Sequence, residues 1–264
     1  MERLGIIGGT GLVSLDQHID PLQEFGCHRV NVEQILCETP FGEVPLDIQE
    51  FETPSGRKKL VFIQRHHNGS GHASRPPHSI DHRANIWAMK NANIEAVLSV
   101  CSVGAINTLI PPGRIGIASQ YIDLTGVSST FHDNVSVFTS MTIPFDELMN
   151  ETLRLHLRQI QELSEEDQLD FTYWLAQGPQ FETAAEIDAI EKLGGDVVGM
   201  TMPREAKLCA EVNLRYAALL ISSNWAAGRE PGDSKAALSH HDVSSKANER
   251  LEPVWSCISH LISG

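Results

Sequence analysis

Apolar residues along this chain fall into short runs that alternate with longer amphipathic stretches. Residues 4–7, 60–64, 96–103, 114–123, 171–177, 197–200 and 216–222 predict strands, because each is a compact apolar run bounded by turn formers. Residues 84–90, 183–193, 203–212 and 243–261 predict helices. In the second of these, Ala184, Ile187 and Ile190 fall on one face, and in the third Pro203 stands near the start, where a missing N–H does no harm. Strands that are apolar throughout suit a sheet covered on both faces, so the pattern predicts an α/β fold with a largely parallel or mixed central sheet flanked by helices. Residues 229–239 carry Gly, Pro, Asp and Ser and predict a surface loop. With no internal repeat and no change of composition to mark a linker, residues 1–264 are expected to form a single domain.

Composition narrows the class. The chain is 41% hydrophobic and 20% charged, with no low-complexity tract, which excludes a disordered, collagenous or coiled-coil protein. Lysine and arginine number 20 against 34 acidic residues, a net charge of −14. Such a chain repels nucleic-acid phosphates and anionic lipid at long range, so neither is an expected partner. Any phosphate it binds has to be held locally, by backbone amides and a few placed cations. The five cysteines are scattered and include no C-x-x-C pair, which suits reduced thiols and a cytoplasmic location. No charged-then-apolar leader precedes residue 5, and no apolar run approaches the roughly 20 residues of a membrane span.

Polar chemistry sits at the expected strand ends, where open α/β sheets bind their ligands: Thr10, Arg65-His66, Ser102, Phe181-Glu182, Met200-Thr201 and Asn224. Gly8-Gly9-Thr10-Gly11 can aim successive N–H groups at an anion, or can simply turn the chain. A dinucleotide fingerprint would need a glycine at position 14, which is Ser14. His66, His67, His72, His78 and His82 invite a metal reading, but their spacing fits neither H-E-x-x-H nor a zinc finger. Arg65 with His66 suits an anion instead. Ser102 and Gly104 are small enough either for close packing or for a ligand to approach the backbone, and Cys101 reads as an inert buried thiol rather than a nucleophile. Glu182 at a helix start can favour the helix dipole; beside Phe181 it can also accept a ring N–H from a stacked heteroaromatic base. Asn224 can be a turn residue, or can both donate to and accept from one edge of such a ring.

These segments, in order, resemble the trimeric purine nucleoside phosphorylase and methylthioadenosine phosphorylase family. The resemblance rests on Gly5-Ile6-Ile7-Gly8-Gly9-Thr10-Gly11, Arg65-His66, Arg83-Ala84-Asn85-Ile86-Trp87-Ala88 and Ser102-Val103-Gly104. It continues through Gly178-Pro179-Gln180-Phe181-Glu182-Thr183, Val198-Gly199-Met200-Thr201 and Asn224-Trp225-Ala226-Ala227-Gly228, over roughly residues 3 to 260. It implies one α/β domain around a mixed sheet and a homotrimer, in some members a homohexamer, whose sites take residues from a neighbouring subunit.

The resemblance also implies roles. Thr10, Arg65, His66, Cys101, Ser102 and Thr201 would form the phosphate site, and Phe181, Glu182, Met200, Asn224, Trp225, Ala226 and His240 the nucleoside site. Asn224, Glu182 and His66 would carry the catalysis, with inorganic phosphate as co-substrate and no metal or organic cofactor. Methylthioadenosine-cleaving members carry Asp-x-Asp where this chain has Asn224 and Ala226, and Ser or Thr where it has Glu182. Glu with Asn resembles the pattern for 6-oxopurines such as inosine and guanosine, with Asn facing N7 and O6 and Glu accepting the N1 proton. His240, in Leu238-Ser239-His240-His241-Asp242-Val243, resembles the histidine that faces the sugar 5′-hydroxyl, and favours inosine over methylthioinosine. Residues 66–76 are longer than the usual R-H-G-x-x-H-x-x-x-P, leaving His67 and His72 as alternatives for the sugar, and Asp81-His82 replaces Asn-Tyr. A nucleotide-dependent oxidoreductase and a metal-binding module remain as other classes, but neither explains the ordered set of motifs.

Overall fold

Alternate residues of the central strands face opposite layers, as the two-residue repeat of a strand requires. The computed structural model describes residues 1–15, 22–23, 26–69, 74–236 and 251–263. Its strands are β1 (Arg3–Gly8), β2 (His28–Thr39), β3 (Gly42–Thr53), β4 (Gly56–Gln64), β5 (Ala96–Ala105), β6 (Ile115–Asp123), β7 (Asp170–Leu175), β8 (Val197–Gly199) and β9 (Arg215–Trp225). The helices are α1 (His82–Asn91), α2 (Glu147–Ile160), α3 (Ala184–Lys192), α4 (Met202–Glu211) and α5 (Glu252–Ser263). Leu4, Ile6, Leu98, Val100, Leu219 and Ile221 pack on one face against Met149, Leu153 and Leu157 of α2 and Val254, Trp255 and Ile258 of α5. Ile7, Val97, Val103, Ala218 and Leu220 pack on the other, against Ile86 and Met89 of α1 and Ala206 and Leu208 of α4.

All nine strands join one sheet in the order β2-β3-β4-β1-β5-β8-β7-β6-β9, with β5 also paired to β9. The sheet is mixed: β1 runs parallel to β4 and β5, β5 to β9, and β7 to β6 and β8. Antiparallel pairs join β2 to β3, β3 to β4, β5 to β8 and β6 to β9. The pairings from β5 through β9, β6, β7 and β8 return to β5, so this half of the sheet closes on itself. That closure gathers the carboxyl ends of β5, β7, β8 and β9 around one space.

Two irregularities shape that space. The β5–β9 register runs from Val103 opposite Ser222 to Gly104 opposite Asn224, which makes Ser223 the extra residue of a bulge and re-aims Asn224. Gly178, just after β7, has φ +66°, and a Cβ there would stand 2.6 Å from the Met200 sulfur. Only glycine satisfies both conditions.

The expected strands and helices all have counterparts, with one trimmed. Within the described residues the closing helix starts at Glu252; residues 243–250 lie outside them. The β2–β3 hairpin and α2 were not expected. β2 is exposed along most of its length, so burial imposes little alternation on its sequence. Among the described residues no helix is long and apolar enough to cross a membrane.

Candidate active site

A cavity of about 1020 Å3 opens at the carboxyl ends of β1, β4, β5, β7, β8 and β9. Thr10, Gln64, Arg65, His66, His67 and Arg75 line it on the β1–β4 side, and Phe181, Glu182, Asn224 and Ala226 on the other. Ser102, Met200 and Thr201 line it between them. Adjacent strands lie ~4.8 Å apart, so the end of β4 and the end of β9, three strands along, are roughly 14 Å apart. The two walls therefore address different parts of whatever enters.

On the first wall, backbone and side chain are tied together. The Gln64 side chain donates to the Gly9 carbonyl (3.2 Å) and accepts from the His66 N–H (2.6 Å). His66 Nδ1 lies 2.8 Å from the Arg75 carbonyl, and the Arg75 N–H donates back to the His66 carbonyl at 2.7 Å. A carbonyl can only accept, so Nδ1 carries a proton and Nε2 is the acceptor nitrogen of the neutral ring. His67 uses both ring nitrogens: Nε2 donates to Asn85 Oδ1 (2.6 Å) and Nδ1 accepts from the Gly69 N–H (3.1 Å). Burial lowers its pKa, so it stays neutral and shapes the wall.

Arg65 lines the cavity but spends its charge beneath it. The residue is only 2% exposed. Nε donates to Glu205 Oε1 at 2.6 Å and Nη2 to Oε2 at 3.2 Å, while Nη1 donates to the Val100 carbonyl at 3.0 Å. Ser99 and Tyr216 hydroxyls also donate to Glu205 Oε2, at 2.7 and 2.9 Å. Burial works against both charges, yet their attraction wins: Glu205 is held below its ordinary carboxyl range and Arg65 above its own range. Gly9 must lack a side chain because a Cβ would stand 2.4 Å from Arg65 Nη1. His82 Nδ1 lies 3.8 Å from Glu205, but burial outweighs that attraction and pushes the imidazole down to about 3, so it is neutral. The Cys101 side chain lies behind the cavity, with Sγ 3.6 Å from Arg65 Nη2, and burial pushes its thiol pKa up. Of the six residues assigned to phosphate, Cys101 alone does not line the cavity.

Between the walls, the Ser102 hydroxyl is buried with no hydrogen-bond partner among the described residues. Thr201 is the N-cap residue of α4, but its side chain makes no capping bond. Its N–H donates to the Tyr173 hydroxyl at 3.3 Å. Ser102, Thr201 and the start of α4 thus place donors where an anion would be held.

On the second wall, Glu182 Oε1 is buried with no hydrogen-bond partner among the described residues, and burial raises the pKa of its carboxyl. The following helix fixes its position: Thr183 caps α3, accepting from the Glu186 N–H, while Glu186 accepts from the Thr183 N–H in return. Phe181 lies beside it, partly exposed to the cavity. The Asn224 Oδ1 accepts from Ser223 Oγ (2.8 Å), and Nδ2 donates one of its two protons to the Trp225 carbonyl (2.7 Å). Trp225 holds this amide through its backbone and does not line the cavity. His72 and His240 lie outside the described residues.

The sequence reading missed Arg75, Gln64 and Glu205. Glu205 had a signal: it stands four residues after Thr201, an acid on the buried face of a short amphipathic helix. Arg75 had none beyond its place before Pro76-Pro77. Among the described residues no three His, Cys, Asp or Glu side chains gather as a metal ion would need.

Comparison with known proteins agrees with this geometry. Residues 3–259 match the model of the Phosphorylase superfamily. A probable 6-oxopurine nucleoside phosphorylase of Thermococcus kodakarensis is 35% identical over 262 residues, covering 94% of this chain and 89% of the relative. A probable S-methyl-5′-thioinosine phosphorylase of Pseudomonas syringae is 34% identical, covering 100% of this chain and 99% of the relative. Methylthioadenosine phosphorylase of Schistosoma mansoni, solved with adenine, superimposes with a TM-score of 0.78 at 23% identity, covering 99% of this chain and 91% of that one, a likeness of fold. The motifs, the mixed α/β fold and these matches lead to one conclusion: the chain belongs to the phosphorylase superfamily.

Proposed function

We propose that this protein catalyses phosphorolysis of 6-oxopurine nucleosides, inosine and guanosine, to the free base and ribose 1-phosphate, a reaction of purine salvage. The observation that carries the substrate class is the buried Glu182 Oε1, without a hydrogen-bond partner among the described residues and in the same wall as Asn224. A 6-oxopurine brings an N1–H to that oxygen and an O6 and N7 to the second Asn224 proton. Adenine brings a lone pair at N1, which leaves the carboxylate unpaired and is penalised accordingly.

In the reaction, the C1′–N9 bond breaks with its electron pair going to the base, and a phosphate oxygen bonds to C1′. Negative charge spreads onto N7 and O6 of the leaving purine, where the Asn224 N–H stabilises it, while Glu182 holds N1–H and Phe181 offers a stacking face. Phosphate is held against Thr10, His66, Ser102 and Thr201, close to the anomeric carbon, and Met200 lies against the sugar. The chemistry calls for no covalent enzyme nucleophile, metal or organic cofactor. His67 already has both ring nitrogens engaged.

Methylthioinosine is the second reading, favoured by the relatives of that name at similar identity. His240 supports inosine, because an imidazole suits a 5′-hydroxyl better than a thioether. We further propose a homotrimer in the cytoplasm. Support for assembly comes from the segment between β6 and α2, which exposes Leu124, Val135, Val137, Phe138 (94%) and Ile143. Support for the location comes from the five cysteines, scattered along the chain with no C-x-x-C pair and four of them buried.

The test is purified protein with inosine or methylthioinosine, with and without phosphate. Hypoxanthine and ribose 1-phosphate should form from inosine only when phosphate is present, with the larger specificity constant for inosine. Equal base release in buffer free of phosphate and arsenate would mean hydrolysis and overturn the reading.

A further inference from the structure

We propose that Tyr173 is a positioning residue for the phosphate co-substrate: its hydroxyl fixes Thr201 and turns the Thr201 side-chain proton towards the anion. This deepens the phosphorolysis reading above and rests on it. Tyr173, on β7, is wholly buried and does not line the cavity, whereas Thr201 does. β7 and β8 run parallel, with Tyr173 opposite Val197 and Leu175 opposite Gly199. The phenol reaches along β8 as far as residue 199. A Cβ on Gly199 would overlap the Tyr173 hydroxyl, so the glycine makes the room that lets this side chain meet Thr201.

The chemistry of that contact sets its direction. A phenol oxygen accepts as well as donates, and here it accepts the Thr201 N–H at 3.3 Å. Its own proton is sealed from water and needs an acceptor, which the Thr201 hydroxyl, bonded to the same phenol, offers. Thr201 does not use that hydroxyl to cap α4. With its oxygen accepting from Tyr173, the Thr201 proton is left to point at a ligand in the cavity. An anion only accepts. The order Tyr173 to Thr201 to phosphate is therefore one in which every proton finds an acceptor, and each bond polarises the next. Burial raises the Tyr173 pKa, so the phenol keeps its proton to give at neutral pH.

The test measures kcat and the KM of phosphate and of inosine for wild type, Tyr173→Phe, Thr201→Val, Thr201→Ser and the double variant of Tyr173→Phe with Thr201→Val. Tyr173→Phe keeps the ring and removes only the hydroxyl. The KM of phosphate should then rise roughly 3- to 10-fold, the worth of one neutral hydrogen bond, with the KM of inosine within about twofold of wild type. Thr201→Val should raise the KM of phosphate at least as much, and Thr201→Ser, which keeps a hydroxyl, should restore most of that loss. On the Thr201→Val background, Tyr173→Phe should add less than about twofold, because the hydroxyl it turns is already gone. A second readout needs no turnover: added inorganic phosphate should raise the melting temperature of wild type more than that of Tyr173→Phe or Thr201→Val. The proposal is overturned by an unchanged phosphate KM in a folded Tyr173→Phe, by an equal rise in both KM values, or by the same fold-change with and without the Thr201 hydroxyl. Should Tyr173→Phe not fold, an unchanged phosphate KM in Thr201→Val overturns it alone. Failure of the underlying reading looks different, because wild type itself would then release base without phosphate.

Discussion

Removing one member of the Arg65–Glu205 pair leaves the other charge buried without a counter-charge, which costs about 3–5 kcal/mol. Arg65→Ala and Glu205→Ala should each lower stability by that order in denaturant unfolding. A double replacement by apolar residues of similar volume, Arg65→Met with Glu205→Leu, should lose much less. Additive losses in the double variant would mean that the two side chains do not act as a pair. Glu182 works in the opposite sense. Burial raises its carboxyl pKa in the folded state, so protonation favours folding below the unfolded carboxyl range, and that contribution is lost as pH rises through the folded value. At neutral pH Glu182→Gln should therefore melt no lower than wild type, although it loses its acceptor for N1–H. In wild type the KM of inosine should rise as pH falls through the raised pKa, and this dependence should disappear in Glu182→Gln. A Gln variant that keeps the same pH profile would place the titrating group elsewhere. At this scale the sequence showed residue types at strand ends, and the fold brings two of those it singled out, Glu182 and Asn224, into one wall of the cavity. It could not show that Arg65 is occupied, because its partner Glu205 lies 140 residues away and meets it only through the fold.

The elements that aim these residues are held by local chemistry. Thr183 and Glu186 form a reciprocal cap directly after Glu182, and losing such a cap costs about 1 kcal/mol. Thr183→Ala should lower stability by that order and raise the KM of inosine while leaving the KM of phosphate nearly unchanged, since α3 serves only the base wall. An equal rise in both would show that the cap supports the whole cavity. Strands β1, β5 and β9 were legible because both faces are buried, which forces continuous apolar runs. β2 was not, because an exposed edge strand is free of that constraint. α2 carried usable signals that went unread: Asp146 as N-cap, and Met149, Leu153 and Leu157 at four-residue spacing. The bulge at Ser223 had no sequence signature, yet it decides where Asn224 points.

Across the whole molecule, closure of β5, β9, β6, β7 and β8 gathers their ends beside those of β1 and β4 around one cavity, and the segment between β6 and α2 exposes a run of apolar side chains. Light scattering should give three chain masses, and Phe138→Ser should shift the protein towards smaller species; a monomer at working concentration would contradict the homotrimer. The α/β class and mixed sheet followed from the alternation of apolar runs, whereas the closed circuit of strands depends on pairings between distant segments. The central claim, that Glu182 and Asn224 read a 6-oxopurine, is tested most directly by the ratio of kcat/KM for inosine to that for adenosine, measured in saturating phosphate. A site built on buried polar pairs rejects the partner that leaves them unmatched, so the ratio should exceed roughly 1000, and Asn224→Asp should lower it without inverting it. A wild type that cleaves adenosine as well as inosine, or better, would contradict the account.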